Sequence, residues 1–130
     1  MQENNLVWAI FDSREGNKNQ LLGILNELGM PYRIIQVNYN MLSSFPNFLI
    51  QLLYGSLHIK EKIRCFIRKP YPKLVISCGR RTAPLSIKVY KILKKKPMLV
   101  HIMNPRYTFF KSFFNIIFVP EHDNAKNNSN

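Results

Sequence analysis

The amino-acid sequence predicts an α/β fold, a single Rossmann-like domain built on a mostly parallel sheet of about five strands. Three observations predict it. The chain has 130 residues, a length that suits one domain and lets it bury roughly two thirds of its unfolded surface. Short apolar runs alternate along the chain with segments of helical periodicity. The runs are continuously apolar instead of patterned in and out, as strands of a parallel sheet covered on both faces must be.

Taken in order, "LVWAIF" (Leu6 to Phe11) ends at Asp12 and reads as a buried strand. After the polar loop "DSREGNKN", Leu21, Ile24, Leu25 and Leu28 fall at i, i+3, i+4 and i+7, one apolar helix face, and Gly29 supplies the stop. "YRIIQVNY" (Tyr32 to Tyr39), rich in β-branched and aromatic residues, is the second strand. An apolar helix follows from Phe45 to Leu57, then a basic stretch whose Pro70 and Pro72 force an extended approach to "LVIS" (Leu74 to Ser77), the third strand. Between Thr82 and Lys96 a helix sets Leu85, Val89, Ile92 and Leu93 on one side and Lys88, Lys91 and Lys95 on another, with Pro84 in its first turn. Pro97 ends it, "MLVHIM" (Met98 to Met103) is the fourth strand and "NIIFVP" (Asn115 to Pro120) the fifth. The boundaries predicted are a domain over 1–123 and a disordered Asn-rich tail over 124–130.

Charge is distributed unevenly. Lys and Arg number 19 against 7 Asp and Glu, and Glu61 is the only acid between Gly29 and Pro120. Such a field favours anionic partners, whether nucleic acid, acidic lipid or a phosphorylated ligand, and does not choose among them. Nucleic acid is disfavoured, since no helix-turn-helix or aromatic stacking signature accompanies the charge. Two cysteines, Cys65 and Cys78, are too few for a disulfide framework and read as reduced thiols. The N-terminus lacks the basic start of a signal peptide, and no run approaches the ~18 to 20 apolar residues of a membrane span. A cytoplasmic protein is expected. Arg64, Arg68, Lys69 and Lys73, interleaved with Phe66, Ile67 and Tyr71, either form a solvated linker or dock on an anionic bilayer, which would make the protein peripheral to the inner membrane.

In an open parallel sheet, ligands bind beyond the carboxyl ends of the strands. The residues that follow each strand here are Asp12 with Gly16 and Asn17, then Gly79-Arg80-Arg81-Thr82, then Asn104-Pro105-Arg106, then Glu121-His122-Asp123. Gly79 to Thr82 is the sharpest of these sets. Glycine permits a tight turn, Thr82 is suited to cap the next helix, and helix-start N–H groups beside two guanidinium forks suit an anion. A turn glycine with solvated arginines is the plainer reading. Neither a Walker loop nor Gly-x-Gly-x-x-Gly is present. His122 and Asp123 are weak catalytic candidates, because adjacent residues on an extended chain point to opposite faces. His101, inside the fourth strand, reads as a hydrogen-bonded core residue and His58 as a surface one. No Ser-His-Asp triad or metal-ligand set emerges, and catalytic residues are not identified.

The stretches "DSREGNKNQLLGILNELG", "VISCGRRTAPLS", "VHIMNPR" and "FVPEHD", in this order and spacing, resemble the N-terminal half of the mitochondrial fission (elongated mitochondria) family, a glycosyltransferase-like family of bacteria and plants. The match covers about Leu6 to Asp123. It implies a glycosyltransferase-B architecture, two Rossmann-like domains facing a cleft, with this chain equivalent to the N-terminal domain. The nucleotide-sugar donor of the two-domain form would be held mainly by the C-terminal domain, so no cofactor is expected here. By motif, the resemblance carries over Asp12, Gly16, Asn17 and Gln20, then Gly79, Arg80, Arg81 and Thr82, then Asn104, Pro105 and Arg106, then Glu121, His122 and Asp123. Asn104 stands where the family pattern leads one to expect an acid, which puts a metal or proton role there in doubt.

The resemblance therefore implies a truncated, acceptor-side half of a glycosyltransferase, inactive by itself, its missing C-terminal domain either lost or encoded separately. The alternative is a non-enzymatic adaptor, peripheral to a membrane, on the analogy of plant members that recruit a dynamin-like partner.

Overall fold

The computed structural model describes residues 6–12, 15–38, 67–102 and 111–119. Within them the order is β1 (Val7–Asp12), α1 (Glu15–Leu28), β2 (Tyr32–Val37), β3 (Leu74–Cys78), a 3-10 turn (Arg80–Thr82), α2 (Ala83–Ile92), β4 (Met98–Ile102) and β5 (Ile116–Phe118). The five strands form one sheet in the order β2-β1-β3-β4-β5, and every pairing is parallel. The predicted helix from Phe45 to Leu57, Cys65 and the tail lie outside the described residues.

β1 sits between β2 and β3 and is buried along its whole length. Its side chains alternate between two cores. Val7, Ala9 and Phe11 join Leu21 and Leu25 of α1 with Ile76, Cys78, Val100 and Ile102. Trp8 and Ile10 join Leu85, Ile87, Val89 and Leu93 of the α2 region with Val75, Leu99 and Phe114 on the other face. The two helices cover opposite faces because the β1-to-β2 and β3-to-β4 connections run in opposite directions along the sheet, and a right-handed crossover changes face when its direction reverses. Burying each of these leucines or isoleucines contributes roughly 1.5–3 kcal/mol before the entropy of ordering is subtracted.

Local chemistry sets the element ends. Gly29 stops α1 in the left-handed region at φ +64°, its N–H donating to the Leu25 carbonyl at 3.2 Å. α1 itself starts at Glu15, earlier than the polar loop of the sequence reading allows. An acidic residue in a first turn is favoured by the helix dipole, and polarity there does not oppose a helix. α2 ends at Ile92 and not at Lys96. Pro97 pushes Lys96 out of helical geometry, and the chain reverses through Lys94 (φ 59°) and Lys95 (φ 61°). Lys95 N–H donates to the Tyr90 carbonyl at 2.9 Å and Lys94 N–H to that of Lys91 at 3.1 Å. This is a Schellman closure with lysine where glycine is the easy choice.

At the far edge, β5 is extended by a side chain. Asn115 donates its N–H to the Leu99 carbonyl at 2.8 Å, while its Oδ1 accepts the Leu99 N–H at 2.9 Å. At the other edge the Arg33 guanidinium lies 4.1 Å over the Trp8 ring, a cation-π contact. Burial, then the nearby Arg68, lowers the Arg33 pKa.

Candidate functional site

The strand order has one switch point, between β1 and β3, where successive connections leave in opposite directions and a crevice opens at the carboxyl ends. Phe11 of β1 pairs with Cys78 of β3, so Asp12 and Gly79 emerge side by side there. Asp12 is the last residue of β1 itself, paired with Val37 and 2% exposed, and not the first residue of a loop.

Gly79 adopts φ +106°, a conformation that side-chain-bearing residues rarely take, and its N–H donates to the Ile102 carbonyl at 3.3 Å. Its own carbonyl accepts both the Thr82 N–H (3.0 Å) and the Thr82 hydroxyl (2.6 Å). Thr82 therefore occupies the N-cap position of α2 without capping it, since its side chain faces back to the turn. That corrects the sequence expectation and has a chemical consequence. The Thr82 N–H is already engaged and Pro84 has none, so the start of α2 offers few donors to an anion. Positive charge at this turn comes from arginine. Arg81 is half-buried, and Arg80 lies in the same 3-10 turn.

Across the crevice, Gln20 of α1 accepts a weak hydrogen bond from the Cys78 thiol at 3.8 Å. Burial, then the Asp12 carboxylate, pushes the Cys78 pKa up to about 12. The thiol stays protonated and is no nucleophile at neutral pH. Gly16 and Asn17 fall in the first turn of α1, at the same edge. The structure thus gathers Asp12, Gln20, Gly79, Arg81 and Thr82 around the switch point. Asn104, Arg106, Glu121, His122 and Asp123 lie outside the described residues.

Sequence reasoning placed His101 in the core but missed its partner. His101 of β4 is in register with Ser77 of β3, and the Ser77 hydroxyl and His101 Nδ1 share a 2.7 Å hydrogen bond. Equal parity in two adjacent strands was the signal available. Phe114 packs against the imidazole with the rings tilted by 35° and 5.0 Å between their centres. Burial lowers the His101 pKa to about 3. The pair resembles a nucleophile and its base, yet both residues are 0% exposed. A substrate has no access to it, so its role is structural. Among the described residues, no three His, Cys, Asp or Glu gather as a metal-ligand set.

Comparison with known proteins places these features in a lineage. The family model described as mitochondrial fission ELM1 matches residues 15–130. An uncharacterized protein of Rickettsia prowazekii (strain Madrid E) is 39% identical over 121 residues, which is 90% of this chain and 32% of that protein. The chain spans about a third of the length of this curated relative. Among solved structures, the L. donovani hypoxanthine-guanine phosphoribosyl transferase aligns over 92% of this chain and 65% of its own, with a TM-score of 0.54 at 12% identity. At that identity the likeness is one of fold alone.

Proposed function

The chain belongs to the mitochondrial fission ELM1 family, and from that premise we propose that it forms the acceptor-side wall of a glycosyltransferase-B-like cleft. One observation carries the reading. The residues of two separate family-like motifs, Asp12 with Gln20 and Gly79 with Arg81, meet at the single switch point of the sheet, where doubly wound folds take their ligands.

Sugar transfer joins an acceptor oxygen to the anomeric carbon of a nucleotide-sugar while the nucleoside diphosphate departs. The work divides between two walls: one orients the acceptor, the other grips the donor and stabilises the leaving charge. This domain supplies the first. Its crevice carries hydrogen-bonding groups and the Arg81 cation, while burial keeps the Cys78 thiol and the core imidazole of His101 out of the chemistry.

The 130 residues alone therefore bind without turning over. A purified sample incubated with nucleotide-sugars and candidate acceptors is expected to release no nucleotide above the buffer rate. Robust transfer, or hydrolysis of a nucleotide-sugar, by this chain contradicts the proposal.

A further inference from the structure

The opposite end of the sheet carries a feature that the crevice does not explain. Where the chain enters β3 and β4, a cavity of about 300 Å³ lies between the segment before β3 and the end of α2. Its walls are apolar, including Ile67, Tyr71, Leu93 and Pro97, and its rim carries Lys94 and Lys96. Tyr71, Ile92 and Met98 stand 40–50% exposed around it. Arg68, Lys69, Lys73, Lys94, Lys95 and Lys96 are all exposed in the same two segments. Of the three described acids, Asp12 and Glu15 lie at the carboxyl edge, and Glu27, in the last turn of α1, is the one acid near the amino-terminal edge, on the face opposite α2.

We propose that this amino-terminal edge of the sheet is a docking surface for an anionic phospholipid bilayer, with the six cations on the headgroups and Tyr71 and Met98 entering the interface above the cavity. Charge complementarity selects the occupant. Exposed aromatic and apolar side chains among basic ones are what an acidic membrane surface binds, whereas a neutral protein partner has no use for six exposed cations in two neighbouring segments. The turn adds a second argument. Lys94 and Lys95 hold left-handed angles that glycine adopts without strain, so the chain carries positive charge here against its backbone preference. Docking by this edge points the switch-point crevice away from the lipid by the length of the strands, roughly 17–20 Å. The inference is independent of whether the crevice takes a sugar.

The test uses vesicles of phosphatidylcholine with and without phosphatidylglycerol. Tryptophan introduced by Tyr71→Trp is expected to be quenched by brominated lipid in the anionic vesicles only, while Asn19→Trp, exposed near the start of α1 toward the carboxyl edge, is not. Native Trp8 is fully buried and contributes a constant background. The pair Lys94→Gly and Lys95→Gly together should weaken vesicle binding about ten- to thirty-fold, with a melting temperature no lower than that of the parent. Equal quenching at positions 71 and 19, the mark of diffuse attraction of a basic protein, or none at either, overturns the proposal. So does unchanged binding by the double-glycine variant.

Discussion

His101 shows how a single residue ties this fold to pH. In the unfolded chain an imidazole takes its proton near pH 6.5, whereas inside the sheet it does so only near pH 3. Between those values the unfolded chain binds more protons, so stability rises with pH and is lost on acidification, at up to ~1.4 kcal/mol per pH unit. Chemical denaturation at pH 5 should thus find the protein about 2 kcal/mol less stable than at pH 7 through this group. The part of the pH dependence due to His101 should vanish in His101→Gln. Cys78 is the second residue whose environment sets its behaviour. With its pKa near 12, it should resist iodoacetamide at pH 8 in the folded Cys65→Ser protein and react promptly once denaturant is added. Rapid alkylation of the native form contradicts the buried geometry. The sequence placed His101 in the core as a hydrogen-bonded residue, but neither its partner nor the surroundings of Cys78 were visible there, because both depend on which strands become neighbours. A histidine in the middle of the apolar run "MLVHIM" says "core", and only the β3–β4 register adds Ser77.

At the scale of elements, the two helix ends make a matched pair of predictions. Gly29 holds φ +64° with open space where a Cβ would sit, so Gly29→Ala is strained by backbone angle and not by collision. It should cost about 1–2 kcal/mol. Lys94 holds nearly the same angle with a side chain present, so Lys94→Gly should stabilise by about 0.5–1 kcal/mol. Thermal melts of the two variants should move in opposite directions. All five strands and the two described helices were legible as apolar runs and helical periodicity, with Gly29 and Pro97 marking two of the ends. What the sequence misplaced were details of closure. A helical pattern continues formally through Lys94 to Lys96, and only the reversal before Pro97 cuts it short. Ile87 and Ser86 were not on the predicted apolar face, yet they are fully buried, because the start of α2 is pressed into the sheet on more than one side.

For the whole molecule, strand order is the decisive property. Alternating β and α segments predict a parallel sheet, but they do not say that β1 lies between β2 and β3. That arrangement turns motifs dozens of residues apart into neighbours at one crevice and leaves the apolar cavity with its basic rim at the other end. The candidate residues were nameable from sequence because each follows a strand. Which of them meet was not, and the engagement of Thr82 with the Gly79 carbonyl moves the weight of anion recognition from helix-start donors to Arg81.

The most direct measurement of the crevice is an amide chemical-shift titration of the 130-residue chain with a panel of monosaccharides and sugar phosphates. Shifts confined to Asp12, Gln20 and Gly79 to Thr82, and lost in Arg81→Ala while the remaining spectrum stays unchanged, are the predicted result. Shifts clustered at the amino-terminal edge of the sheet, or none at the switch point with any member of the panel, contradict the account.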